Sequence, residues 1–224
     1  MAAKTDLTVT IPAYNEEASI RDTIKSVKMH APKCEIIVVD DCSTDRTNEI
    51  ARNEKARVIR HAKNKGYGAA LKTGMLAART KYVAFLDADM TYDPKYFPVM
   101  LDCMKREDLD CIWGNRFAGA KNKMPFIRKF GNKVISLIFW LATMRNIGDS
   151  SSGQRILKKS MLKRIGLETL PDDLDFITAM SKRTVSRKLK YKIIPINYHK
   201  RRGSSKLALF RHGFRMIRNV LMEK

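Results

Sequence analysis

Short apolar, β-rich runs alternate with helically spaced segments through the first half of the chain. Leu7 to Ile11 is the first run and ends at Pro12; Ala13 to Glu17 is polar, and Ala18 to Met29 places Ile20, Ile24 and Val27 on one helical face. Glu35 to Val39 predicts a second strand, followed by the polar loop Asp40 to Asp45 and a helix to about Arg52. Ala56 to Arg60 predicts a third strand, the Gly-rich stretch Asn64 to Gly68 a tight turn, and Ala69 to Arg79 a helix. Tyr82 to Leu86 is a continuous apolar run, as expected of a strand covered on both faces. Regular alternation of this kind predicts an α/β fold with a mostly parallel sheet flanked by helices.

Beyond this the pattern predicts a helix over Pro94 to Lys105 and a strand over Asp110 to Trp113, ending in Gly114-Asn-Arg-Phe117. Residues 118 to 125 form a Lys-rich loop. Phe126 to Leu141 is apolar at 127, 130, 134, 138 and 141, with Arg128, Lys129 and Lys133 elsewhere on the helix. Asp149 to Arg155 reads as a loop, Ser160 to Gly166 as a short helix, and Asp172 to Lys188 as a helix that begins acidic and ends basic. Tyr191 to Tyr198 contains Pro195 and so predicts an edge strand. A basic stretch, Lys200 to Lys206, leads into a last helix.

Every early strand ends in polar residues: Asn15 and Glu16, Asp40 and Asp41, Asp87 and Asp89. In an open α/β sheet the carboxyl ends of the strands are where ligands bind. Asp87 and Asp89 are two apart, so as a strand continues they point the same way and can converge on one cation. Two hard oxygens suit Mg²⁺ or Mn²⁺ completed by phosphate oxygens and water. Taken alone, Asp-x-Asp fits a polar turn equally well, and Asp40-Asp41 also fits a helix cap.

The chain has 224 residues and a net charge of +21, which draws it to polyanions: nucleic acid, an anionic bilayer or phosphorylated substrates. Its four cysteines and four histidines are scattered without zinc spacing, so reduced thiols are expected. Its N-terminus has no apolar core of a signal peptide, and no stretch reaches the roughly 18 to 20 apolar residues of a membrane span.

Pro12-Ala-Tyr-Asn-Glu16, Val38-Val-Asp-Asp-Cys-Ser-Thr-Asp45, Asn64-Lys-Gly-Tyr-Gly68 and Asp87-Ala-Asp89 together resemble family 2 glycosyltransferases of the GT-A fold. Gly114-Asn-Arg-Phe117, Asp149 to Arg155 and Gly203-Ser-Ser-Lys206 resemble the polyprenyl-phosphate sugar transferases, the branch that includes dolichol-phosphate mannose synthases. The resemblance implies a single GT-A domain over residues 1–224, with a nucleotide-sugar-binding half (1–117) and an acceptor and membrane-interface half (118–224). It implies that Pro12, Tyr14, Glu16, Val38 and Asp40 hold base and ribose. Asp87, Ala88 and Asp89 would hold the diphosphate, the ribose and the cation, with Thr91 standing where some members have a metal-side Gln. It assigns Arg116 to phosphate or donor sugar, and Lys206 with Lys200 to Arg202 to a mobile loop closing over the phosphates. Asp175 falls where the family has an acidic residue near the acceptor; as one polar residue on an amphipathic helix it fits a solvated position as well. Cys42 stands where the family has Gly, and Lys200 where it has Arg.

The implied function is transfer of a sugar from a GDP- or UDP-sugar to a polyprenyl phosphate, metal-dependent and inverting, by a peripheral protein on the cytoplasmic face of an anionic membrane. In the alternative, a hydroxyl on a soluble sugar or polysaccharide is the acceptor and Asp175 the base. A nucleic-acid module would explain the charge, but no RNA- or DNA-binding motif is present, so no nucleic-acid partner is expected. Oligomeric state stays open.

The membrane expectation rests on two helices. Phe210, Phe214, Ile217 and Leu221 share a face in the last one, with Arg211, Arg215 and Arg218 adjacent; Phe126 to Leu141 repeats the pattern. The competing expectation is that both helices pack on the core or on a partner chain.

Overall fold

A computed structural model describes residues 6–203 and 209–222, and for residues 209–212 the backbone alone. Among the described residues, seven strands and eight α-helices largely alternate: β1 Leu7–Ala13, α1 Ile20–His30, β2 Glu35–Asp40, α2 Thr47–Asn53, β3 Arg57–Arg60, α3 Tyr67–Ala77, β4 Tyr82–Phe85, α4 Tyr96–Arg106 and β5 Cys111–Asn115. Then come α5 Phe126–Thr143, β6 Arg155–Lys158, α6 Lys159–Arg164, α7 Phe176–Ser186, β7 Tyr191–Pro195 and α8 Leu209–Met222.

The strands form one sheet in the order β3-β2-β1-β4-β6-β5-β7. All pairings are parallel except those of β6, which runs antiparallel to both β4 and β5. Pro195 lies in β7, an edge strand as its missing N–H requires. β6 is a correction to the sequence reading, which took Arg155 for the end of a loop and placed only a helix beyond it. Four residues are too short to show a period, and this strand's place between β4 and β5 is set by partners far along the chain.

Period-two alternation divides the core between the two sheet faces. Val9, Ile11, Val38 and Ala84 face α1, α2 and α4, while Ile37, Val39, Val83 and Phe85 face α3 and α7. α3 lies very close to β1: a Cβ at Gly74 would sit 2.1 Å from Thr10 Cγ2, so a glycine is needed there. α8 packs against α5 and α7.

α8 turns to the core a face other than the one that carries Phe214 and Leu221, against the competing expectation that this apolar face packs on the core. Asn219 and Val220 are buried, while Phe214 and Leu221 are 71% and 60% exposed. Phe210 and Arg211 lie among the residues whose side chains are not described. In α5, Ile135 and Phe139 are buried, and Phe126, Ile127, Phe130, Leu137, Trp140 and Leu141 form an exposed stripe. Core contact has selected one apolar stripe of each helix and left another outside.

Candidate active site

The loops after β1, β2 and β4 meet at the carboxyl edge of the sheet. Each carries one non-glycine residue in the left-handed region: Asn15 (φ 52°), Cys42 (φ 64°) and Met90 (φ 64°). Such residues cost about 1–2 kcal/mol each and persist where the surroundings hold them. Cys42 adopts the conformation that a glycine at this position would take without strain.

A cavity of about 360 Å³ opens at this edge, lined by Pro12, Ala13, Tyr14, Glu16, Asp41, Asn64, Gly66, Tyr67, Asp87, Ala88, Asp89, Asp173, Leu174 and Arg201 among others. Of the residues assigned from sequence to base and ribose, Pro12, Tyr14 and Glu16 lie on its wall. Val38 is fully buried in the core. Asp40 is fully buried and turned into its own loop, where it accepts hydrogen bonds from Ser43 N (3.0 Å) and Asn48 Nδ2 (3.0 Å).

The wall residue is its neighbour Asp41. Its Oδ1 accepts from His61 Nδ1 (2.6 Å) and Lys65 N (2.9 Å), and its Oδ2 from Gly66 N (2.8 Å). His61 Nε2 lies 2.9 Å from Thr73 Oγ1, so the ring is held at both nitrogens. Asp41 thereby ties the loop after β2 to the turn that starts α3. That turn is pressed against the 171–173 backbone: Gly66 has φ 101°, and a Cβ on it would lie 2.5 Å from Asp172 O. This contact brings Asp173 and Leu174 to the cavity, and no local sequence signal marks them.

Asp87 and Asp89 share the cavity wall. Asp87 Oδ1 accepts from the Tyr67 hydroxyl at 2.6 Å. Gly153 closes in beside them, since a Cβ there would lie 3.0 Å from Asp87 Oδ1 and 3.2 Å from the hydroxyls of Tyr67 and Tyr92. Burial, then the neighbouring charge of Asp89, push the Asp87 carboxyl up to about 7 against the opposing pull of Tyr67 and the guanidinium groups of Arg201 and Arg116. Asp89 Oδ1 accepts from both the amide and the hydroxyl of Thr91, so Thr91 serves Asp89. Among the described residues no three His, Cys, Asp or Glu side chains converge on one point. Two neighbouring, mutually repelling carboxylates with hard oxygens, Asp89 buried and Asp87 partly so, nevertheless fit a divalent cation that takes its remaining ligands from a diphosphate and water.

Arg116 is buried in a two-point ion pair with Asp149, its Nη2 at 2.8 Å from Oδ1, and its guanidinium lies 5.4 Å from the Tyr198 ring centre. Beneath this loop lies Arg155, fully buried, donating to the carbonyls of Ser152 (2.9 Å) and Ser150 (3.0 Å) and lowered to about 10 by desolvation. Arg155 and Asp149 thus hold the 149–153 loop from two sides, which places Gly153 against Asp87.

The remaining assigned residues are dispersed. Lys200 is exposed, and the Arg202 side chain reaches out to Asp22 on α1. Arg201, between them, enters the cavity. Lys206 lies outside the described residues. Asp175, the N-cap of α7, is buried and accepts from Asn219 Nδ2 at 2.8 Å; it lines a neighbouring cavity with Arg215 and Arg218.

Residues 8–166 match the family model described as "Glycosyl transferase family 2". A low-salt glycan biosynthesis hexosyltransferase, Agl6, of Haloferax volcanii is 32% identical over 96% of this chain, which spans only 53% of that relative's length. A dolichyl-phosphate hexose transferase of the same organism is 28% identical, with 96% of this chain and 92% of the relative aligned. Among solved structures, a glucosyl-3-phosphoglycerate synthase from Mycobacterium tuberculosis, determined with Mn²⁺, UDP and phosphoglyceric acid, superposes with a TM-score of 0.80 at 20% identity, covering 99% of this chain and 79% of that one. The mostly parallel sheet, the carboxylate pair at its edge and the family match over more than half of the chain make this protein a member of glycosyltransferase family 2, with the GT-A fold.

Proposed function

We propose that the chain transfers a hexose from a GDP- or UDP-sugar to a polyprenyl phosphate of the dolichyl type, with inversion at the anomeric carbon. The observation that carries this reading is the Asp87–Asp89 pair on the wall of a cavity that Tyr14, Asp41 and Arg201 also line. Such a cavity offers an acidic anchor for a base, carboxylates for a cation and a guanidinium for phosphate. Its acceptor class is supported by the dolichyl-phosphate hexose transferase, which aligns over nearly its whole length.

A bound Mg²⁺ or Mn²⁺ would offset the charge of the departing diphosphate. The chain's residues bind and orient: Asp87 accepts from Tyr67 with Gly153 packed close beside it, and Asp89 accepts from Thr91. An acceptor phosphate oxygen forms the new bond to the anomeric carbon as the bond to the diphosphate breaks on the opposite side. That oxygen is already anionic, so no side chain needs to remove a proton. Asp175, the base required by a hydroxyl acceptor, lines the neighbouring cavity and not the one that holds Asp89.

Access to a lipid acceptor is supported by the apolar stripe of α5 and by Phe214 and Leu221 on α8, the helix packed beside it. No described helix is long and apolar enough to cross a membrane. We place these helices in the plane of the interface, with Lys133 and Arg218 near headgroups, as a peripheral anchor on the cytoplasmic face. The donor half of the division at 117 is then completed from the acceptor half, which contributes Asp173, Leu174 and Arg201 to the cavity.

The test is a screen of radiolabelled GDP- and UDP-sugars against polyprenyl phosphate with Mg²⁺ or Mn²⁺. Label should pass into the organic phase with the parent and not with Asp89→Ala that remains folded. Transfer only to water-soluble acceptors, or full activity of the Asp89 variant, overturns the reading.

A further inference from the structure

Within the basic stretch that follows β7, the backbone and not only the side chains is tied to the carboxylate pair. His199 N donates to Thr91 O (2.9 Å) and Arg202 N to Asp89 O (3.0 Å). Between these two anchors, Lys200 points outward and Arg201 inward. Its guanidinium bridges two carboxylates from different loops, with Nη1 3.1 Å from Asp89 Oδ2 and Nη2 on Glu16 Oε1. Nε is buried and, among the described residues, donates to no group, although the side chain lines the cavity.

Two facts conflict with a purely structural role. Asp89 is a carboxylate that the proposed reaction needs for a divalent cation, and a guanidinium on Asp89 Oδ2 puts a positive charge where that cation must approach. The guanidinium of this half-buried Arg also has one buried donor, Nε, with no acceptor among the described residues, and it sits where a diphosphate would bring several acceptors. The planar fork matches phosphate oxygens, whereas a hard dication matches carboxylate oxygens.

We propose that Arg201 is a donor-positioning residue that shares Asp89 with the divalent cation in turn: it neutralises Asp89 while no cation is bound, and passes to the donor diphosphate when the cation takes Asp89. The pinned backbone at 199 and 202 keeps the side chain within reach of both positions. Repulsion between guanidinium and dication moves it, and the diphosphate, which carries the opposite charge, receives it. The family resemblance put Lys206 with the whole cluster from Lys200 to Arg202 over the phosphates; the exchange with the cation at Asp89 goes beyond it and falls to Arg201, since Lys200 is exposed and Arg202 pairs with Asp22. It rests on the nucleotide-sugar reading above.

Manganese binding without nucleotide, followed by the electron paramagnetic resonance of free Mn²⁺, separates the two. Arg201→Ala and Arg201→Gln should bind Mn²⁺ more tightly than the parent, by on the order of fivefold to tenfold, because a competing charge is gone. In saturating Mn²⁺ the same variants should bind UDP or GDP, whichever the parent prefers by calorimetry, about tenfold or more weakly. These changes have opposite signs, which a general loosening of the site does not produce. Arg201→Lys, with the charge but not the fork, should leave Mn²⁺ binding near that of the parent and restore only part of the nucleotide affinity. Unchanged or weaker Mn²⁺ binding by both neutral variants overturns the assignment, as does tighter Mn²⁺ binding with nucleotide affinity intact. A parent that binds neither Mn²⁺ nor a nucleoside diphosphate overturns the nucleotide-sugar reading itself, and the assignment with it.

Discussion

The Tyr67 hydroxyl donates to Asp87 Oδ1 at 2.6 Å, joining the first residue of α3 to the loop after β4. This bond is one of the few interactions that favour the ionised form of a carboxyl otherwise pushed up to about 7 by burial and by Asp89. The folded protein therefore holds a proton on Asp87 that the unfolded chain releases at the ordinary carboxylate value of 3.8. In the absence of a cation, this group's contribution to stability falls as pH rises from that value toward 7, and cation binding, which needs the ionised form, strengthens over the upper part of the same window. The stabilising shift in Tm produced by Mn²⁺ should be larger at pH 8 than at pH 6. Tyr67→Phe should move this dependence to higher pH and cost about 1 kcal/mol of stability; a pH-independent Mn²⁺ shift in the parent would contradict it.

Gly153 leaves no room for a side chain against Asp87. Gly153→Ala should displace Asp87 or the Tyr67 and Tyr92 hydroxyls by a few tenths of an ångström. We expect kcat/KM to fall by on the order of tenfold or more with less than about 1 kcal/mol lost in urea denaturation, because the misplacement concerns positioning and not the core.

Cys42 has φ 64° without the freedom of glycine. Cys42→Gly should relieve the local strain by more than the extra unfolded-state entropy costs, for a net gain of about 0.5–1 kcal/mol. Equilibrium urea denaturation measures it, and a loss of stability would show that the Cys42 side chain, 3.7 Å from Ala62 O, holds more than its geometry suggests.

Arg116 and Asp149 are buried together. Asp149→Ala leaves a guanidinium without its counter-charge in the interior and should destabilise the protein by about 3–5 kcal/mol. Arg116→Lys keeps the charge but loses the two-point contact, so its cost should be smaller. The comparison is made by thermal or chemical denaturation of the two variants side by side.

The peripheral anchor is tested on its apolar residues. Arg215 pairs with Asp173 on the cavity wall at 2.9 Å, so reversing its charge would disturb the donor site as well as any lipid contact. Phe130→Asp with Phe214→Asp changes only exposed positions. The double variant should lose co-sedimentation with anionic vesicles and transfer to long-chain polyprenyl phosphate, while nucleotide binding stays at the parent's level. Undiminished vesicle binding would remove these helices as the anchor.

Sequence alone determined the alternating elements, the mostly parallel sheet and the edge at which the strand-end carboxylates meet, because period-two and helical spacing report local burial directly. It also marked Asp87 and Asp89 as neighbours at that edge, although both stand past the end of β4, where strand alternation no longer fixes their direction and the loop conformation brings them to the cavity wall. Which neighbour of a pair faces the cavity was decided only in three dimensions. Asp40 continues the strand and turns into its loop, whereas Asp41 stands past the end and collects His61, Lys65 and Gly66 from a turn that is not adjacent in sequence. Arg201 was chosen over Lys200 and Arg202 by two backbone hydrogen bonds to the 89–91 loop. β6 was placed between β4 and β5 by strand partners rather than by its own four residues. The outward apolar faces of α5 and α8 likewise depended on which stripe met the core. Each of these outcomes turns on contacts between residues distant in the chain, and hydrophobic periodicity carries no information about which distant surface an element will meet.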